Sequence, residues 1–256
     1  MKKLILFSSA IIAFIFNSCT TQTYVSNAAN VPLLKEKGEV HINITQNDLQ
    51  GAFALGKNFA VIANGFYMNY RTGDTYKHSG LLGEAGIGYF TPLNTNFIFE
   101  GYVGGGAGRV SKQQTFNDNN NNSYTANFNA NAIKMFIQPD IGYKTRFFDA
   151  IISSRISTVK YTSFSQQNYS EQDLKNDYLD NNQLTGPVFM FAEPAITLRG
   201  GYKFLKIQLQ YGQTINMTPH NIKQANNFSS LGIVINIAKW YNNNNDQKIE
   251  EKKSID

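Results

Sequence analysis

The chain has 256 residues, of which 16% are charged and 13% aromatic, and it carries a formal net charge of +5. Abundant aromatic and β-branched residues exclude a disordered polyelectrolyte, and the lack of dominant Ala, Leu, Glu and Lys argues against a helical bundle. Its 23 lysines and arginines are scattered rather than gathered into a basic stripe, which argues against nucleic acid as a partner.

Lys2 and Lys3 open the chain, followed by an apolar run from Leu4 to Phe16 broken only by Ser8 and Ser9. A basic start, a short greasy stretch and a small residue at Ser18 are the pattern of a cleaved export signal over residues 1–18. The run is shorter than the ~20 residues of a transmembrane helix. The only cysteine follows at once. Phe16-Asn17-Ser18-Cys19 resembles a bacterial lipobox, with Asn17 where Ala or Gly is usual. The resemblance implies a thioether-linked diacylglycerol on Cys19 and an acylated amine, of which palmitate is one source. The plainer alternative is an ordinary signal peptide that contains a thiol. A single cysteine excludes an intramolecular disulfide framework and a Cys-based zinc site. Thr20 to Thr23 carry no acidic cluster of the kind that resembles a surface-export signal, so residues 19–37 are expected to be a lipidated, flexible tether in the periplasm.

After residue 37 the sequence alternates with period two. Ile133, Met135, Ile137 and Ile141 interleave with Lys134, Gln138, Asp140 and Lys144, and Ile233, Ile235 and Ile237 interleave with Val234, Asn236 and Ala238. Strand side chains alternate between faces, so each such segment has one greasy and one polar or small face. Ten strands are predicted, at 38–46, 48–56, 58–70, 78–90, 95–112, 124–144, 147–164, 187–203, 205–217 and 227–240. Short turns at Gly56-Lys57, Thr91–Asn94, Thr145-Arg146 and Phe204 alternate with longer polar stretches at 71–77, 113–123, 165–186 and 218–226. That asymmetry predicts an antiparallel, up-and-down transmembrane β-barrel over residues 38–240, with both termini on the short-turn, periplasmic side. A soluble β-sandwich on a lipid tether is the competing fold. Residues 241–256, with the Asn tract 242–245, read as a polar, disordered tail, and the Asn tract 119–122 as low-complexity and solvent-facing.

Tyr24 to Pro32 with Glu36-Lys37-Gly38-Glu39-Val40, and Ala54 to Val61, resemble the opening of small lipid-anchored outer-membrane β-barrel proteins of Bacteroidota-type bacteria. The resemblance spans the chain in pattern and the first ~70 residues in wording. It implies an outer-membrane location and a barrel, and no particular activity.

Parity sets Glu84, Glu100, Asp140, Arg155, Glu193 and Arg199 opposite the apolar face. Such charges are costly in lipid and are expected to point inward and pair as an interior polar network. A polar conduit or a carboxylate pair at work in acid–base chemistry is the alternative. His41, His78 and His220 stand in no G-x-S-x-G or H-E-x-x-H motif. No catalytic residue, metal site or cofactor is assigned. The glycines Gly101, Gly104, Gly105, Gly106 and Gly108 are followed by no helix, so they read as relief of crowding in a curved strand and not as a phosphate loop. The loop at 165–186 is the candidate surface for a glycan or protein partner. The expected role is structural, in envelope integrity or surface contact. An enzyme acting on lipid A or lipids, or a small pore, stands as the alternative.

Overall fold

A computed structural model describes residues 22–73, 75–117, 123–176, 179 and 181–241. The export signal, Cys19, both Asn tracts and the tail from residue 242 lie outside these residues.

The strands are β1 (Val40–Thr45), β2 (Asp48–Ala54), β3 (Phe59–Thr72), β4 (Tyr76–Pro92), β5 (Phe97–Asn117), β6 (Ser123–Lys144), β7 (Phe148–Gln167), β8 (Phe189–Tyr202), β9 (Leu205–Gln213), β10 (Ile215–Asn216) and β11 (Asn227–Ile237). From β1 to β9 each pairs antiparallel with the next, β9 pairs with β11, and β11 returns to β1 in the register Val40↔Ile237 to Thr45↔Gly232. β10 continues the line of β9 past Thr214 and pairs with β8. The sheet is therefore a closed barrel of ten staves. Closure rules out the sandwich, because neither sheet edge stays open.

Alternation explains the wall. Along β6, Ile133, Met135, Ile137 and Ile141 point outward and are exposed, while Lys134, Gln138, Asp140 and Lys144 are buried in the lumen. From Ile133 to Tyr143 this greasy face covers about 34 Å of strand, or roughly 24 Å along the barrel axis at a tilt of ~45°, which matches an outer-membrane apolar band of about 25 Å. At the short-turn end the band finishes in exposed aromatics, with ring contacts Phe59–Tyr89, Phe97–Tyr143 and Phe147–Tyr202. Interfacial girdles of this kind border membrane barrels.

The staves differ in length. β1 and β2 have 6 and 7 residues, whereas β5, β6 and β7 have 21, 22 and 20. One wall therefore rises well beyond the apolar band at the long-connection end. A bulge on β7 opposite Asn131/Ala132 lies at the height where the outer face turns polar. The glycine-rich stretch of β5 permits a tight bend against β4. A Cβ on Gly106 would sit 2.1 Å from the Gly83 carbonyl oxygen, and one on Gly88 2.2 Å from the Tyr102 ring.

Three expectations need correction. The 165–186 loop is not a purely hydrophilic excursion: β7 runs to Gln167, and two short helices follow, α1 (Glu171–Asn176) and α2 (Asn181–Thr185). Leu179 and Leu184 are buried against Phe128, Tyr161 and Phe189, so the loop folds over the outer mouth. The tether reading fails for residues 22–37. They run through the lumen, and Asn30, Leu33 and Leu34 are fully buried there. Tyr241, expected in a disordered tail, is buried too.

Candidate functional site

The candidate site is the lumen and the segment that fills it. At the long-connection end the Thr23 and Tyr24 amides donate to the Lys223 carbonyl, and the Ala225 amide donates to the Tyr24 carbonyl. At the short-turn end Lys35 Nζ donates to the carbonyls of Thr95 (2.8 Å) and Lys144 (3.2 Å). Residues 24–34 therefore cross the barrel from mouth to floor. They have no regular secondary structure, so their backbone groups must find partners in the wall.

Wall side chains supply those partners level by level. Gln210 accepts from the Ala29 amide (2.8 Å) and donates to its carbonyl (3.0 Å). Gln138 donates to the Asn30 carbonyl (2.7 Å), Arg199 to that of Val31 (2.6 Å) and Lys144 to that of Leu33 (2.7 Å). Glu100 accepts the successive amides of Leu33 (2.9 Å) and Leu34 (2.6 Å) on its two oxygens. Leu33 takes a φ of +53°, which turns those two N–H groups towards one carboxylate. A side chain of that size adopts this backbone only when its surroundings fix it, and here the carboxylate and the packing against Ile98 and Ile151 do so.

All six residues assigned to the interior by parity are buried in the lumen. They form two groups. Near mid-height, Arg155 Nε donates to Glu193 (2.5 Å) and its NH1 lies 3.8 Å from Glu84. Lys134 lies 3.3 Å from Glu84 and 3.8 Å from Glu193. The segment joins this cluster through Tyr24 and Ser26, which donate to Glu193 (2.5 and 2.7 Å), and Asn27, which donates to Glu84 (2.7 Å). Closer to the floor, Glu100 faces Asp140 across β5 and β6, Gln138 donates to Asp140 (2.9 Å), and Arg199 donates to Gln208 (2.8 Å).

The sequence set of four acids against two bases was short of cations. Lys134 adds one, between Glu84 and Glu193, while Lys144 and Lys206 bring two further acids with them, Lys144 on Glu39 (2.6 Å) and Lys206 on Asp149 (2.6 Å). Their parity was already visible, since each alternates with apolar neighbours. The role of Tyr24 to Leu34 left no such trace, because an irregular segment has no periodicity to read.

The floor is finished by Trp240. Lys35 lies over its ring at 4.2 Å, and its backbone amide donates to Glu36 (3.0 Å). Burial and the neighbouring Lys144 lower the Lys35 amine to about 8. His41 meets Asn236 (2.7 Å) inside the wall, and His220 is exposed. Among the described residues no cluster of three or more His, Cys, Asp or Glu could hold a metal, and no helix is long and apolar enough to cross a membrane.

No family model matches the chain, and no curated protein does. Among solved structures it is similar to one titled "NanC porin structure in rhombohedral crystal form", at 8% identity and a TM-score of 0.23, covering 77% of this chain and 97% of that one. A likeness that loose carries nothing beyond itself.

Proposed function

We propose that this protein is a closed, non-conducting outer-membrane lipoprotein that serves envelope integrity or surface contact and not transport or catalysis. The observation behind this reading is the occupied lumen: residues 24–34 traverse it with their backbone groups bound to wall side chains. Withdrawing the segment would strand Glu100, Gln210 and Arg199 without these partners, and an unsatisfied buried polar group costs about 1–3 kcal/mol, more when charged.

The same path bears on the anchor. Gln22 lies at the long-connection end, and the three residues back to Cys19 reach at most about 10 Å. On this reading, acyl chains on Cys19 sit in the leaflet at that end. With the long connections facing the medium, that is the outer leaflet, opposite to the side expected of a periplasmic tether.

Three measurements test the reading. Planar bilayers should show no steady conductance with the intact protein, and a stable open channel would replace the proposal with a pore. Cys19→Ala should abolish labelling by a palmitate analogue, and equal labelling would remove the anchor. Epitope tags before Gln22 and in α2 at Asn181 should both stain on intact cells, while one at Lys57 should need permeabilised cells. A tag before Gln22 that stains only after permeabilisation would reverse the placement of the anchor.

A further inference from the structure

One side of the outer mouth remains open. Beside the low β1–β2 turn and under the taller β3–β4 hairpin lies a cavity of about 550 Å³, floored by Val25, Ser26 and Ala28 of the lumen segment. Phe66 and Phe228 are buried in its wall, while Gln46, Asn47, Asn69 and Tyr70 stand exposed on its rim. Its size falls within the ~300–1,000 Å³ of small-ligand sites.

The lining chemistry is selective. Among the described residues of the lining, six carry side-chain amides (Gln22, Gln46, Asn47, Asn69, Gln114 and Asn227), four are phenyl or phenol rings, one is the carboxylate Asp48, one is the imidazole of His78, and none is lysine or arginine. Recognition of a phosphate or carboxylate relies on charge-assisted donors, and the described lining has no lysine or arginine and only one imidazole, that of the buried His78. The wall carries more apolar than polar surface, but an acyl chain would leave the amides and the carboxylate that share it without partners. Amides offer a donor and an acceptor side by side, which suits neighbouring hydroxyls. Tyr70, Tyr76, Phe66 and Phe228 offer flat faces on which the C–H side of a pyranose ring packs. We infer that this cup at the low side of the mouth binds a neutral saccharide.

The test uses the full-length protein in detergent on an array of neutral and acidic oligosaccharides, followed by calorimetric titration of the strongest neutral hit. At least one neutral glycan should be retained in preference to acidic ones. Tyr70→Ala should weaken it at least tenfold, Gln46→Ala should weaken it less, and Lys57→Ala, at the opposite end, should leave it unchanged. Should Tyr70→Ala fail to fold, Asn227→Trp, which obstructs the cup from an exposed position, should abolish binding. Retention of no neutral glycan, preference for acidic glycans, or unchanged affinity in the folded Tyr70 or Asn227 variant would overturn the assignment. Binding in detergent does not depend on conductance or orientation, so its failure is distinct from that of the lipoprotein reading.

Discussion

The two halves of β6 make opposite use of one alternation. Between Ile133 and Lys144 the outward side chains are greasy and the inward ones include Lys134, Gln138, Asp140 and Lys144. Between Ser123 and Ala132 the outward residues are Asn127, Asn129 and Asn131, and the inward ones are Ala126, Phe128 and Ala130. Inward and outward do not exchange along the strand; only the polarity does. β7 does the same: Ser153, Arg155 and Ser157 point inward low on the strand, and Val159, Tyr161 and Phe164 pack inward high on it. The difference teaches where the lipid ends. At membrane height the outside is hydrocarbon, so apolar surface is satisfied there and the lumen can hold charged and amide groups beside small apolar clusters such as Leu33, Ile98 and Ile151. Above it the outside is water, and an ordinary apolar core of Phe128, Tyr161, Phe189 and Phe191 forms inside, with Tyr24 stacked on Phe191 at 4.1 Å.

Single substitutions in the two halves can break this comparison. The largest effect is expected in the lower lumen. Arg155→Ala leaves Glu193 and Glu84 to share Lys134, one buried cation for two buried carboxylates, which should destabilise the barrel by about 3–5 kcal/mol, read as a lower urea midpoint in lipid vesicles. A loss under 1 kcal/mol would mean that the network is not an energetic unit. In the upper core, Phe128→Ala removes a ring packed 5.5 Å from Phe164 and should cost about 3–4 kcal/mol through transfer and cavity formation. A near-neutral result would show that the cap contributes little to the fold.

The outer face gives the sharpest contrast. Ile137 and Asn129 are both exposed, on the same strand and with the same parity. Ile137→Arg places a cation at membrane height and should cost about 2–4 kcal/mol. Asn129→Arg stays in water and should change stability by less than about 0.5 kcal/mol. Equal penalties would move the membrane boundary or abolish it. Among the destabilising substitutions, the smallest effect is expected for Glu100→Gln. It keeps one acceptor for the amides of Leu33 and Leu34 and loses the other with its charge, so a loss of about 1–2 kcal/mol should accompany faster hydrogen exchange at those two amides. Unchanged exchange would show that this carboxylate does not hold the segment.

Much of this was readable in the residues. Each of the ten predicted strands has its counterpart, because a wall with lipid outside writes its polarity into every second residue. Errors at strand ends follow the same logic. The top of β5 extends to Asn117, five residues beyond the expected end, because Gln113 and Gln114 read as loop by polarity although they pair with Asn127 and Ala126. Glu84, Arg155 and Glu193 could be turned inward from parity, yet parity could not say that they meet, since that depends on the stagger of three separate strands around the ring. Nor could it place Tyr24 to Leu34, whose contacts reach as far along the chain as Ala225, bonded to Tyr24.

Sequence by itself thus determined the strands, their faces and the ten-stave count, because these follow from local alternation against two solvents. Tertiary structure alone decided what occupies the interior. A barrel of this width leaves room for one extended chain. The wall's unpaired amides, carboxylates and guanidinium groups select the segment whose backbone can satisfy them, and that choice exists only once the ring has closed.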